Sequence, residues 1–204
     1  MFSRLVSIPT FFSALSLFTA TAALNVPRQS STNPCSAFPG AGSLNALNFM
    51  LAALNTTLPN ANTTGASVIL AGAGAIDGAE FYGLVTQASY PYPPTYPLFN
   101  MTNGGLPAAP LVWGTEVSSG AVPGFLSTSL ETPNPAEIYC SVTVDGYEHP
   151  TLAVNGRTDP FSVCREYPCE STPWEAVYYN ATNGSSTCGA SPACYPVVLS
   201  IVFA

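Results

Sequence analysis

The chain has no lysine and only one histidine, His149, and its four arginines face eleven acidic residues. A polyanion is held by clustered cations that displace counterions, so nucleic acid is excluded as a partner, and an anionic membrane surface with it. With a single imidazole, a two-histidine acid–base pair and a histidine-rich metal site are excluded as well. No C-x-x-C pair is present to build a zinc site. No G-x-S-x-G nucleophile elbow occurs; Gly184-Ser185-Ser186-Thr187-Cys188-Gly189 misses it by one position. The glycine-rich stretch Ala71 to Gly78 has its third glycine one place late for a dinucleotide loop, and no βαβ unit follows. It reads as a flexible turn. Neither a metal nor a cofactor is expected.

Charge itself is scarce, at 7% of residues, so solubility calls for another hydrophilic cover. Five N-x-S/T sequons without proline can supply it, at Asn55, Asn62, Asn100, Asn180 and Asn183. Asn180 and Asn183 are close enough for a glycan on one to block the other. The first residues fit export. Arg4 is followed by an apolar run from Leu5 to Phe18 and by Ala20-Thr21-Ala22, a small-x-small cleavage pattern. The run is shorter than the roughly 20 residues a membrane span needs. The reading is a signal peptide over 1–22, which places the mature start near Ala23 and rules out a copper site on an N-terminal histidine.

All six cysteines lie beyond that segment, at Cys35, Cys140, Cys164, Cys169, Cys188 and Cys194. An even number in an exported chain implies three disulfides and leaves their connectivity open. The favoured pairing joins Cys140 to Cys164, Cys169 to Cys188 and Cys35 to Cys194.

Residues 23–42 are rich in Pro, Ser, Asn and Gly and read as an extended arm. Ser43 is a good N-cap, and Leu44, Leu47, Met50, Leu51, Leu54 and Leu58 follow at helical spacing up to Pro59, predicting a helix packed on a sheet. Strands are expected at Val68–Leu70, Glu80–Thr86, Leu111–Trp113, Phe125–Leu130, Trp174–Tyr179 and Tyr195–Phe203. In the last, Tyr195, Val197, Leu199, Ile201 and Phe203 share a face. Between them, 137–164 reads as a three-strand meander. Its turns are Asp145-Gly146 and Asn155-Gly156, the latter suited to the positive φ angles of a tight hairpin. The fold class is therefore mainly β: a disulfide-stapled β-sandwich or Greek-key barrel with one short N-terminal helix, a single domain over 43–204.

Two groups of residues are candidates for chemistry. Tyr90 to Pro97 carries too many prolines for a sheet interior. Tyr92 and Tyr96 on such a ribbon either stack on sugar rings or fold back as a lid on the core. Asp145, Glu148 and Asp159 fall within the meander, with Glu137 and Glu166 nearby. A sugar hydrolase needs two carboxyl groups about 5 to 9 Å apart. The competing reading makes Asp145 and Asp159 turn residues, with Arg157 paired to Asp159 or Glu148.

The order of pieces in the last third has a counterpart. Phe161-Ser162-Val163-Cys164, Pro173-Trp174-Glu175-Ala176-Val177-Tyr178, Asn180-Ala181-Thr182, Cys188 and the closing Val197 to Val202 resemble the end of fungal cell wall proteins of the phiA type. Glu80 to Val85 and Pro135 to Tyr139 correspond more loosely. The serine-glycine-serine and histidine-serine stretches of that family are missing here. The resemblance implies a secreted, wall-associated, non-enzymatic protein of a fungus, and transfers no catalytic residue. The expectation is a secreted, N-glycosylated protein with a structural or adhesive role in the cell wall or extracellular matrix. Wall polysaccharide or wall proteins would be its partners. The alternatives are a carbohydrate-active hydrolase using a carboxylate pair and a secreted protein that binds another protein through its loops.

Overall fold

A computed structural model describes residues 33–90, 92, 96–109, 111–132, 134–166, 174–181 and 193–204. The expected signal peptide, Cys169, Cys188 and Asn183 lie outside the described residues. The first strands are β1 (Gly42–Ser43), β2 (Ala46–Asn55), β3 (Ala66–Ile76), β4 (Ala79–Thr86), β5 (Phe99–Met101), β6 (Pro107–Ala109) and β7 (Val112–Gly114). They are followed by β8 (Gly124–Thr128), β9 (Tyr139–Val142), β10 (Thr151–Val154), β11 (Phe161–Glu166), β12 (Trp174–Tyr179) and β13 (Cys194–Phe203). A single turn of 3₁₀ helix, Gln87–Ser89, follows β4.

Neighbouring strands are antiparallel, and β2, β3, β4, β12, β11 and β13 pair in a ring that closes on β2. The core is thus a β-barrel. Three long strands carry two shorter ones end to end along one edge. Val197 of β13 lies opposite both Asn55 and Phe161, and Ser200 opposite both Ala52 and Thr151. β10 and β11 therefore follow one another on the edge of β13 that β2 leaves free. By the same register, β8 and β12 share an edge of β4, and β5 and β3 share an edge of β2. At each of these places one strand stays in the ring and its companion lies outside it.

Period-two alternation fills the barrel. Phe49, Leu51 and Ala53 of β2, Val68 and Leu70 of β3, and Tyr82 and Leu84 of β4 belong to one buried cluster with Phe161, Val163, Val177, Val197, Leu199 and Ile201. Each large apolar side chain buried here contributes roughly 1.5–3 kcal/mol. Phe99 of β5 ties the strands outside the ring to it, with ring centroids 6.1 Å from Phe49 of β2 and 5.9 Å from Phe125 of β8.

Several expectations are corrected. The stretch after Ser43 is not a helix but β2. Of the six residues in the helical stripe only Leu51 is fully buried, while Leu47 and Leu58 are each 64% exposed. Burial follows Phe49, Leu51 and Ala53 instead, because β13 on one edge and β3 and β5 on the other satisfy the backbone of an extended chain. The glycine stretch is not a turn. Gly72 and Gly74 lie within β3 at a bulge, pairing with Tyr82 and Phe81, so that Ala73 is the extra residue. The turn comes later, at Asp77-Gly78, where Gly78 has φ +78°. The described part of the 23–42 arm, from Asn33, is wound in turns rather than extended.

The meander is only half present. β9 and β10 pair from Tyr139–Val154 to Val142–Thr151. Asn155 and Gly156 adopt positive φ, and Val154 and Arg157 exchange both backbone hydrogen bonds. That tight turn does not make β11 a partner of β10, because both strands pair with β13. The disulfides follow the same topology. β9 and β11 are not neighbours, so Cys140 pairs with Cys35, whose turn packs on β9, at a Cα separation of 5.4 Å. Cys194 stands opposite Cys164 in the β11–β13 register and pairs with it, at 4.1 Å. The expected Cys140–Cys164 and Cys35–Cys194 bridges are replaced; Cys169–Cys188 falls outside the described residues.

Two stability predictions follow from these contacts. Replacing both Cys35 and Cys140 by alanine should lower unfolding free energy in denaturant by about 2–5 kcal/mol. Non-reducing peptide mapping should recover Cys35 linked to Cys140 and Cys164 linked to Cys194, and a Cys140–Cys164 peptide would refute this topology. Tyr139 is fully buried, and its Oη has no hydrogen-bond partner among the described residues. A buried unpaired hydroxyl costs about 1–3 kcal/mol, so Tyr139→Phe should stabilise the fold by that order. A lower denaturation midpoint for the variant would contradict the assignment.

Candidate functional site

β4 has two faces. Tyr82 and Leu84 point into the barrel, while Phe81, Gly83 and Val85 face outward. On the outer side Val85 joins Ile69, Ala71 and Ala176 in a small buried cluster, against which Tyr90, Val122, Trp174 and Tyr178 are packed. The sequence leaves out side chains at Gly72, Gly83 and Gly124, and a cleft of about 520 Å³ results. Tyr90, Trp174 and the exposed Phe81 are among the residues that line it. Gly83 allows a close crossing: a Cβ there would come within 3.0 Å of Val122 Cγ1.

The cleft lining is apolar or neutral. Tyr82 contributes to it from β4, although its side chain turns into the barrel; the other lining residues with polar side chains are Tyr90, Thr115 and Trp174, and Thr115 Oγ1 is already committed to the carbonyl of Gly124 at 3.1 Å. Among the described residues no carboxylate, imidazole or thiol lines it. Such a surface can enclose apolar matter or present aromatic faces.

The expected carboxylates are distributed differently. Asp145 and Glu148 are exposed on the loop between β9 and β10, and His149 beside them is half-buried. Asp159 is exposed and accepts from Arg157 Nε at 3.1 Å, the surface pairing foreseen for that arginine. The guanidinium's pKa is raised by that hydrogen bond and by the charge of Asp159. Asp159 also lines a second cleft of about 470 Å³ with Tyr147, Thr151 and Thr158, whereas Asp145 and Glu148 line neither cleft. Glu137 is exposed.

The two tyrosines part company. Tyr92 is 66% exposed, and among the described residues its ring meets that of Tyr90 edge-on, at 5.4 Å. Tyr96 is half-buried and stands edge-on to Tyr82, at 5.5 Å and 84°. Tyr96 thus folds back on the core, and Tyr92 keeps a free face.

Two polar clusters were not foreseen. Tyr82 Oη donates to Glu80 Oε2, and its pKa is raised, first by burial and then by its hydrogen bonds to Glu80 and Tyr96. It is a tyrosine held as a donor. Glu80 and Tyr82 are two apart on one strand, so their common face was legible from period two; the approach of Tyr96 was not. In the second cluster Thr86 Oγ1 reaches Glu175 Oε2 at 3.2 Å, and the Glu175 amide donates to Ser89 Oγ at 2.9 Å. This fastens the 3₁₀ turn to β12. Tyr195 has a raised pKa, through burial and then the charge of Glu175. Among the described residues no group of His, Cys, Asp or Glu can hold a metal ion, and no helix is long and apolar enough to cross a membrane.

Comparison with protein-family models, curated proteins and solved structures finds no match to this chain.

The two tryptophans give a direct probe of the cleft. Trp113 is 3% exposed, whereas Trp174 is half-buried on the cleft wall. Acrylamide should quench the emission of a Trp113→Phe variant several-fold more strongly than that of Trp174→Phe. Equal quenching would mean that Trp174 is not open to the cleft.

Proposed function

We propose that this is a secreted, N-glycosylated, non-catalytic protein with a structural or adhesive role in a cell wall or extracellular matrix. The observation that carries the reading is the pair of disulfides, Cys35–Cys140 and Cys164–Cys194, pinning a charge-poor β-barrel. Such bridges persist in oxidising compartments. The export-like first 22 residues, the five sequons and the similarity of the last third to phiA-type fungal wall proteins support the same reading. The adhesive half rests on aromatic faces. Tyr92 is exposed, and Tyr90 and Trp174 border a cleft that no carboxylate of the described residues lines. Sugar rings present apolar C–H faces to such side chains, so wall polysaccharide is the partner this surface suits best.

The test combines binding and turnover. Purified secreted protein, incubated with β-glucan, chitin or mannan, should generate no new reducing ends. It should be retarded on at least one of these polysaccharides, and Tyr92→Ala should reduce that retention several-fold. Turnover abolished by Asp145→Asn or Glu148→Gln, with the fold intact, would replace this reading by the hydrolase one.

A further inference from the structure

We propose that Asn55 and Asn62, the sequons flanking the loop between β2 and β3, carry N-linked glycans and that Asn100 does not. The inference rests on the export reading above and assigns its modification to particular atoms. Asn55 ends β2, and its Oδ1 accepts from the Thr57 amide at 2.8 Å, Thr57 Oγ1 at 3.0 Å and the Leu58 amide at 2.9 Å. Asn62 repeats the arrangement, its Oδ1 accepting from Thr64 Oγ1 at 3.1 Å and the Gly65 amide at 2.7 Å. In both, the hydroxyl of the third sequon residue is bonded to the carboxamide oxygen of the first. Nδ2 is left without a partner among the described residues.

That geometry suits the transfer. A pyrophosphate-linked oligosaccharide donor loses its C1–O bond, Nδ2–C1 forms, Nδ2 gives up one proton, and the lipid pyrophosphate leaves. As the proton departs, negative charge grows on Oδ1, where two or three donors already point. The contacts span two or three residues, so they can form in the nascent chain before any sheet exists. In the folded protein Thr57, Leu58 and Asn62 are exposed, and Asn55 is half-buried where β2 gives way to the exposed loop.

Asn100 is built differently. It lies half-buried in β5 beside Met101, which is fully buried. Its Oδ1 accepts from the amide of Asn48, 52 residues away, at 2.9 Å, and Thr102 makes no bond to it. Asn48 has φ +51° at the β2 bulge, so this carboxamide serves to cap an irregular backbone. Its contact needs the tertiary fold and leaves no local arrangement for transfer.

The full chain is expressed in a eukaryotic secretory host, and the secreted protein is deglycosylated enzymatically in ¹⁸O water, which marks occupied asparagines as labelled aspartate. Peptide mass spectrometry should find label at Asn55 and Asn62 and none at Asn100. Thr57→Val should abolish label at Asn55 alone, and Thr57→Ser should retain it. Label at Asn100, or its absence from Asn55 or Asn62 in a secreted protein glycosylated elsewhere, overturns the assignment and leaves the export reading standing. A chain that keeps Met1 and carries no glycan overturns both. The wild-type map decides even where a variant fails to fold.

Discussion

The fold depends on the seam between β2 and β13, where Phe49 to Asn55 pair with Val197 to Phe203. Each strand brings alternate apolar residues to the same interior, so one register buries Phe49, Leu51, Leu199 and Ile201 together. The two strands lie at opposite ends of the described chain, and β13 also supplies the edge on which β10 and β11 rest. Without β13 the ring opens and both lose a neighbour. Closing so long a loop is entropically costly and slow. The Cys164–Cys194 bridge, spanning 30 residues, holds the first residue of β13 in place against β11, so only its remainder must find β2.

A barrel this small is packed with its own side chains. Chemistry is therefore left to the outside, where three glycines thin the surface over β4 and Tyr90 and Trp174 frame the gap. The nearby polar groups are occupied in holding structure: Glu80 accepts from Tyr82, and Glu175 ties the 3₁₀ turn to β12. Asp159 faces Arg157 in solvent, where an ion pair contributes little. Carboxylates that serve turns and surface pairs leave recognition to aromatic faces, which is the basis of the adhesive reading.

Much of the barrel was legible where one strand decides its own pattern. β12 and β13 lie where alternation puts them, and Asn155-Gly156 forms the tight turn its φ requirements demand. What local pattern could not convey was who pairs with whom. The segment 46–55 has apolar residues at both helical and strand spacing, and the choice was made by β13, some 140 residues later. The same strand runs along β10 and β11, which turned an expected meander into two consecutive strands on one edge. It also redirected the cysteines. The cleft was illegible for a related reason: its glycines come from β3, β4 and β8, and only the sheet register brings them together. Tyr92 and Tyr96, four residues apart, were separated by a partner, Tyr82, that the ribbon itself does not contain.

The strands outside the closed ring leave free edges that must avoid pairing with other chains. Lysine on an edge strand is a common safeguard, and this chain has none. Its outermost strands are kept short instead: β1 has two residues, and β5 and β6 three each. Pro107 removes one donor from β6. Short edges limit pairing but do not make a weakly charged surface soluble, and Leu47, Leu58, Ile76 and Leu130 stand more than 60% exposed. Leu58 sits in the loop between Asn55 and Asn62, where two glycans would cover it. On the proposed glycosylation, the absence of lysine and the placing of sequons on that loop are two sides of one solution: carbohydrate would do the hydrophilic work that ionised side chains do elsewhere. It would do so at the end of the barrel remote from the Asp77-Gly78 turn, eleven residues of β3 away.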